Sequence, residues 1–171
     1  MIRTSAILVA ATLALTACAP RATTPQLGPD GQPLPVAYTI SARDAQEIPV
    51  RVQGQINTLR AGQGLGPIAI SPLLTTAAQG HAADMSRQNR AWHFGSDGSS
   101  PLDRVRRAGY AGPLIGQNIS ETYETEVQTL QAWMNLRDTR DVIMSPAARE
   151  MGFAWHQEQN GKLWWTLVVG G

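Results

Sequence analysis

The residues able to do chemistry are concentrated in one stretch, residues 92–118, WHFGSDGSSPLDRVRRAGYAGPLIGQN. It places His93 in a Gly/Ser loop and ends on the amides of Gln117 and Asn118, so an imidazole and two side-chain amides can meet around a ligand or satisfy neighbouring backbone. Ser96, Ser99 and Ser100 lie near His93, with Asp97 and Asp103 beside them. That composition raises a serine-hydrolase reading, but groups adjacent in one loop rarely form a proton relay, and there is no G-x-S-x-G turn to expose a nucleophile. Asp97 and Asp138 read as loop caps. Of the other two histidines, His81 falls on an apolar helical stripe, which predicts a packed, hydrogen-bonded core residue, and His156 falls beside a turn, which predicts exposure.

Cys18 is the single cysteine, so no disulfide framework exists. Residues 1–17 carry Arg3, an apolar run over 6–15 and then small residues, the layout of an export signal and too short for a spanning helix. The sequence Leu15-Thr16-Ala17-Cys18 resembles the lipobox of bacterial lipoproteins, in which Cys18 becomes the new N-terminus and is acylated with chains such as palmitate. A cysteine used this way is an anchor and not a nucleophile, and several chains on one residue hold a protein stably at a bilayer. The alternative is an ordinary cleaved signal with an incidental cysteine. Residues 18–40 are then a tether: prolines at 20, 25, 29, 33 and 35 and little apolar periodicity favour an extended, solvated segment.

The chain has 171 residues, 43% hydrophobic and 16% charged, with a formal net charge of +1. Beyond the signal, thirteen basic residues face thirteen acidic ones without a basic tract, so nothing marks a nucleic-acid partner. One compact domain over 41–171 is expected.

Elements to position the cluster follow from periodicity and punctuation. Pro49 at a first helical turn, then Val52, Ile56 and Leu59, predict a helix stopped by Gly62, Gly64 and Gly66. Ser71-Pro72 opens a second, with Leu74, Ala77, Ala78, His81, Ala82 and Met85 on one face, ending near Asn89. Ser100-Pro101 opens a short third that stops at Gly109. A strand over 114–120 is followed by a helix over 124–136 that faces Val127, Leu130 and Met134 to the core with Trp133 at its side. Met151, Phe153 and Trp155 alternate, Asn160-Gly161 turns, and Leu163, Trp165, Leu167 and Val169 alternate again, which predicts a hairpin. Trp133, Trp155, Trp164 and Trp165 have the spacing of core and sheet faces and read as packing residues rather than a stacking platform. The sum is an α+β domain.

In order, Asn57-x-x-Arg60, the Ala/His/Met helix, His93, Gly116-Gln117-Asn118-Ile119, Trp133-Met134-Asn135, Arg140 and a Trp-rich last strand resemble the bacterial branch of the CAP superfamily, the SCP domain of cysteine-rich secretory, antigen 5 and pathogenesis-related proteins. The likeness covers residues 48–171. It implies a three-layer α-β-α sandwich with a small central antiparallel sheet, on an exported protein. It also implies a cleft lined by a loop histidine, a turn glutamate, a second histidine and, in many eukaryotic members, a second glutamate. By position these fall on His93, Gln117, Thr139 and a site near Leu136, so only the first histidine is kept. The cleft candidates are therefore His93, Gln117, Asn118 and Thr139. Zinc needs three or four N, S or O ligands, which leaves His93 a lone donor, and neither an amide nor a hydroxyl carries protons as a tuned acid or base.

The resulting expectation is an envelope-anchored lipoprotein without cofactor or catalytic residue. It is held to the membrane through acylated Cys18 and binds a small apolar ligand, a cell-wall fragment or a protein. Ala19, not aspartate, follows the cysteine, which points to the outer membrane and its periplasmic face. The alternatives are a metal-assisted hydrolase or peptidase using zinc in a degenerate cleft, and an assembly role in the envelope without a small ligand.

Overall fold

The computed structural model describes residues 38–171; the expected signal, Cys18 and most of the expected tether lie outside the described residues. The described residues form a compact unit with its own core. Chain order is α1 (Ala42–Ala61), β1 (Ala69–Ile70), α2 (Pro72–Gln88), α3 (Pro101–Arg107), β2 (Leu114–Thr122), α4 (Glu126–Asn135), α5 (Arg137–Ile143), β3 (Glu150–Gln157) and β4 (Leu163–Gly170).

The sheet runs β1-β3-β4-β2. β4 is central, antiparallel to β2 and β3, and every residue in it is buried, because helices cover both faces. The alternation expected for a sheet wetted on one side is accordingly absent from β4. Two-residue β1 pairs parallel with β3, so the sheet is mixed and not purely antiparallel. So short a strand leaves no periodic signal in the sequence.

On one face Leu74, Ala77 and Ala78 of α2, Val105 of α3 and Tyr110 just beyond it pack against Ala154 and Val168. On the other, Ile48, Val52 and Ile56 of α1 and Leu130 and Trp133 of α4 meet Phe153, Trp165 and Leu167, with Ile143 of α5 in the same cluster. Phe153 stacks on Trp165 at 5.4 Å between ring centroids and takes the Trp133 ring edge-on. This is the α-β-α sandwich. Trp133, Trp164 and Trp165 are core residues, with Trp155 half-buried against the same cluster.

Several boundaries differ from the sequence reading. α1 begins one full turn and more before Pro49: Ser41 and Asp44 form a capping box, and Pro49 lies inside the helix. Its fourth buried position is Arg60 and not Leu59, which is exposed. The α4 face is also rotated. Glu126, Thr129, Leu130 and Trp133 are buried while Val127 is exposed, since Trp133 must reach Phe153. Residues 137–143, read as a loop with Asp138 as its cap, form α5, with Asp138 in the first turn. Ser71 precedes Pro72 without a side-chain capping bond, whereas Ser100 and Thr125 both close capping boxes. His156 is half-buried on β3 rather than exposed.

Arg60 binds the α1–β1 turn to the far end of the chain. Fully buried, its guanidinium donates to the carbonyls of Gly66, Ile143, Ser145 and Ala148 at 2.7–3.3 Å. Asn57 closes the same corner through Ile68, donating from Nδ2 to its carbonyl and accepting from its N–H.

Candidate functional site

β2 runs along the edge of the sheet and turns successive side chains to opposite faces. Gln117 is opposite Val168, on the face covered by α2; Asn118 is opposite Leu167, on the face covered by α1 and α4. The four cleft candidates are therefore not one cluster. His93 and Gln117 meet on one side of the sheet, and Asn118 and Thr139 meet on the other.

On the first side, His93 Nδ1 lies 3.1 Å from Gln117 Oε1. Arg104 Nη2, which can only donate, approaches the same oxygen at 3.4 Å, so this oxygen is the acceptor and His93 carries its proton on Nδ1. Arg104 also donates to the His93 carbonyl at 2.7 Å and the Ser99 carbonyl at 2.8 Å. One guanidinium thus gathers the loop, α3 and β2, with its Nε buried and unpartnered. Burial pushes the Arg104 guanidinium below its ordinary pKa, opposed by the attraction of Asp84 and Asp97. The sequence missed Arg104 because nothing in PLDRVRR separates it from Arg106 and Arg107; its selection is made by the fold.

On the second side, Asn118 Nδ2 donates to the Thr139 carbonyl at 2.9 Å, and the Thr139 hydroxyl donates to the Trp133 carbonyl at 2.6 Å. Both groups fasten α5 to β2 and α4. The site near Leu136, where a second glutamate would fall, is exposed.

The serines do not form a relay with His93. Ser96 donates to Asp84 Oδ1 at 2.7 Å and Ser100 to Asp103 Oδ2 at 2.7 Å, the latter closing the α3 cap. Asp97 accepts from the Ser99 N–H and pairs with Arg107, and these partners hold its carboxyl well below the usual range. Burial opposes the ionisation of Asp84, but hydrogen bonds from Ser96 and Arg87 outweigh it. His81 is fully buried in α2 and donates from Nε2 to the Trp92 carbonyl at 3.0 Å; burial, reinforced by the Arg104 charge, pushes it down to about 4.

This donor set does not fit zinc. His93 offers one ring nitrogen, Gln117 is neutral, the Thr139 hydroxyl is spent on a carbonyl, and the Arg104 guanidinium stands at the His93 carbonyl and the Gln117 oxygen, where a second cation would be repelled. Among the described residues no group of three His, Cys, Asp or Glu side chains is placed to share an ion.

An apolar concavity lies elsewhere. A groove of about 600 Å³ runs between α1 and α4, floored by Leu130 and walled by Leu59, Val127 and Met134. Leu59 and Val127 are each 40% exposed, so the rotation of both helices that buries Arg60 and Trp133 is what leaves apolar side chains along this seam. Arg51 stands at one end, already paired with Glu126 at 2.8 Å. Past Leu59 and Met134 the groove continues into a second hollow of about 530 Å³ that includes Leu65, Met144 and Arg140.

Residues 53–169 match the model of the cysteine-rich secretory protein family, CAP. The uncharacterized protein YkwD of Bacillus subtilis (strain 168) is 28% identical over 114 residues, 67% of this chain and 44% of that protein, so the chain spans less than half of that curated relative's length. Among solved structures, an extracellular protein containing an SCP domain from Bacillus anthracis str. Ames superposes with a TM-score of 0.64 at 21% identity over 78% of this chain and 45% of that one. An outer surface protein from Borrelia burgdorferi superposes with a TM-score of 0.63 at 15% identity, over 79% of this chain and 98% of that one. At these identities the structural likeness is one of fold.

Proposed function

This chain belongs to the cysteine-rich secretory protein (CAP) family, and from that premise we propose that it is an envelope-anchored, non-catalytic binding module whose ligand is a small apolar molecule. The observation that carries the proposal is the groove between α1 and α4. It is about 600 Å³, within the range of small-molecule sites; Leu59, Val127, Leu130 and Met134 line it, Arg51 at its end is paired with Glu126, and Thr58 donates to the Gly54 carbonyl. Burial of a hydrocarbon there is driven by the area it removes from water, roughly 25 cal/mol per Å².

The His93–Gln117 side of the molecule supports the same reading. Hydrolysis requires a polarised water or a proton carrier near the reacting bond, and here the imidazole is tied to an amide and backed by a guanidinium that is itself engaged. The metal-assisted hydrolase reading therefore has a single histidine in its favour.

In this proposal Cys18 is acylated, the chain from residue 19 to residue 37 stands the domain off the bilayer, and the protein faces the periplasm from the outer membrane; Tyr38 and Ile40, expected in the tether, pack on the domain and bond to Gln157. The names of the neighbours, an outer surface protein and an extracellular protein, are in keeping with an exported domain. Incorporation of labelled palmitate into the natural chain and its loss in Cys18→Ala tests the anchor.

The binding claim is tested by displacement of the fluorescent probe 1-anilinonaphthalene-8-sulfonate, whose aromatic rings report apolar surface, from a soluble form of residues 38–171 by dodecanol. Saturable displacement that disappears in Val127→Asp, with an unchanged circular dichroism spectrum, supports it. Saturable zinc binding by calorimetry at micromolar concentration, abolished in His93→Ala, would instead move the function to the His93 cleft.

A further inference from the structure

Two hollows between α2 and α3, on the face of the sheet opposite the α1–α4 groove, share Gly80, Arg104 and Arg107 and so form one cleft with two unlike halves. The polar half, about 360 Å³, is lined by the guanidinium groups of Arg87, Arg104 and Arg107 and by the carboxylates of Asp84 and Asp97, which leaves one positive charge in excess. Both carboxylates are already supplied with donors: Asp84 accepts from Arg87, Gln88 and twice from Ser96, and Asp97 accepts from Arg107 and the Ser99 N–H. The arginines keep donors to spare. Arg87 and Arg107 are 65% and 61% exposed and each gives one nitrogen to its carboxylate. Arg104 donates to neutral oxygens alone, those of His93, Ser99 and Gln117, and its Nε–H is buried without a partner. The other half, about 240 Å³, adds Thr76, Ala77 and Ala108 to the shared residues. Gly80 floors both halves in the middle of α2, where glycine weakens a helix relative to alanine, and a Cβ built on it meets nothing within 4 Å. The fold has room for a side chain there; what the glycine keeps open is the cleft.

We infer that the cleft takes the C-terminus of a peptide that ends in a small aliphatic residue, its carboxylate on Arg107 and Arg104 at the shared wall, its side chain over Ala77 and Ala108, and its preceding amides along the polar half toward Arg87. This site is separate from the α1–α4 groove, and either can fail without the other. A planar guanidinium with free N–H groups is matched to the oxygen pair of a carboxylate, and the excess of arginine repels an amino terminus. The aliphatic side chain gives the alanine half an occupant that removes its surface from water, which a bare inorganic anion does not supply. The oxygens of Ser96 and Ser99 line the polar half, where the peptide N–H groups need acceptors.

The test uses residues 38–171, a compact unit with its own core. N-acetyl-alanyl-alanine, its C-terminal amide, N-acetyl-alanyl-glycine and inorganic phosphate are titrated in turn, and binding is followed by the amide resonances of residues 76–80 and 104–108. The alanyl-alanine acid is expected to bind saturably at millimolar concentration or below. Loss of the charge-assisted contact predicts that the amide binds about tenfold more weakly, and loss of one methyl that the glycine peptide binds about fourfold more weakly. Arg107→Gln brings the acid level with the amide, and because Arg107 is exposed the variant keeps its fold. Gly80→Leu fills the floor and abolishes binding at a melting temperature no lower than that of the natural chain. If that variant melts early, Arg107→Gln alone decides. Equal affinity for acid and amide, or Arg107→Gln without effect, overturns the carboxylate assignment, and undiminished binding in a folded Gly80→Leu chain overturns the placement. Phosphate binding as tightly as the acid, with the alanine and glycine peptides alike, reduces the cleft to an unselective anion seat and overturns the peptide. No saturable shift in a folded chain overturns the whole.

Discussion

Arg104 Nη2 donates to the carbonyl of His93 across 2.7 Å, and through that bond a loop with little regular structure is fixed against α3 and β2. The same side chain reaches Ser99 and Gln117, so three segments separated in sequence share one guanidinium. Arg104→Ala is expected to destabilise the domain by about 2 kcal/mol, because bonds from a charged donor are lost and the part-buried Ser99 carbonyl is left without it. Arg104→Lys should recover less than half of this, since one ammonium cannot span the fork. Urea midpoints of the two variants check both statements; equal stability of Arg104→Ala and the natural chain would mean that the loop is held by other contacts.

His81 gives the domain an acid limit with a definite sign. Its native pKa is pushed from 6.5 down to about 4, chiefly by burial, so between these values the unfolded chain binds a proton that the folded chain refuses. Stability therefore falls as pH drops from 6.5 toward 4, by roughly 3 kcal/mol in all at 1.36 kcal/mol per pKa unit. Carboxylates held below their usual range, Asp84 and Asp97 among them, are still ionised through most of that window and add their own loss at lower pH. Denaturation midpoints measured from pH 7 to pH 4 should show the slope, and His81→Gln, which keeps a donor for the Trp92 carbonyl, should flatten it.

What could be read from the chain was whatever depends on local chemistry. Ser100-Pro101-Leu102-Asp103 is a capping box by residue type alone, and Asn160-Gly161 between two alternating runs marks the turn between β3 and β4. The start of α1 is masked because Pro49, permitted at a first turn, competes as a start signal with the Ser41–Asp44 box that caps the helix. α5 has seven residues and follows α4 without a breaker, so periodicity had too little length to work with. The site suffered more. Gln117 and Asn118 are adjacent in sequence, and only the pairing of β2 with β4, together with the helices above and below, sends one to His93 and the other to Thr139. The apolar groove was illegible for a similar reason: Leu59 and Val127 fit a core stripe until Arg60 and Trp133 take the core positions.

Arg60 is the test of that last point. It is 0% exposed and donates only to backbone carbonyls, among the described residues without a carboxylate to balance it. Arg60→Met, which keeps the length of the stem, should cost about 3–5 kcal/mol, because the Gly66 and Ile143 carbonyls lose the guanidinium and those of Ser145 and Ala148 are left with one donor each, the Ala148 N–H and Arg149 Nη1. The release of the α5–β3 connection, where three of them lie, should appear as faster amide exchange at residues 143–148 before global unfolding. Exchange confined to the α1–β1 turn would assign Arg60 a local role only.

Gly152 tests how closely the helical layer rests on the sheet. On β3 it faces the first turn of α2, and a Cβ built there would lie 2.1 Å from the Leu74 carbonyl carbon and 2.2 Å from the Thr75 nitrogen. Both are backbone atoms of a helix start, so no side-chain rotation relieves the clash; α2 must move off the sheet as a body or β3 must bow away from it. Gly152→Ala is therefore expected to destabilise by about 3 kcal/mol, the upper end for overpacking a filled core. The strain has a direction as well as a size. Lifting α2 draws with it His81 and its bond to the Trp92 carbonyl, which sits one residue from His93. The measurement is thus paired: a denaturation midpoint for the magnitude, and the imidazole and Gln117 side-chain amide resonances for the displacement. A variant as stable as the natural chain, with those resonances unmoved, would show that α2 and β3 separate without involving the loop.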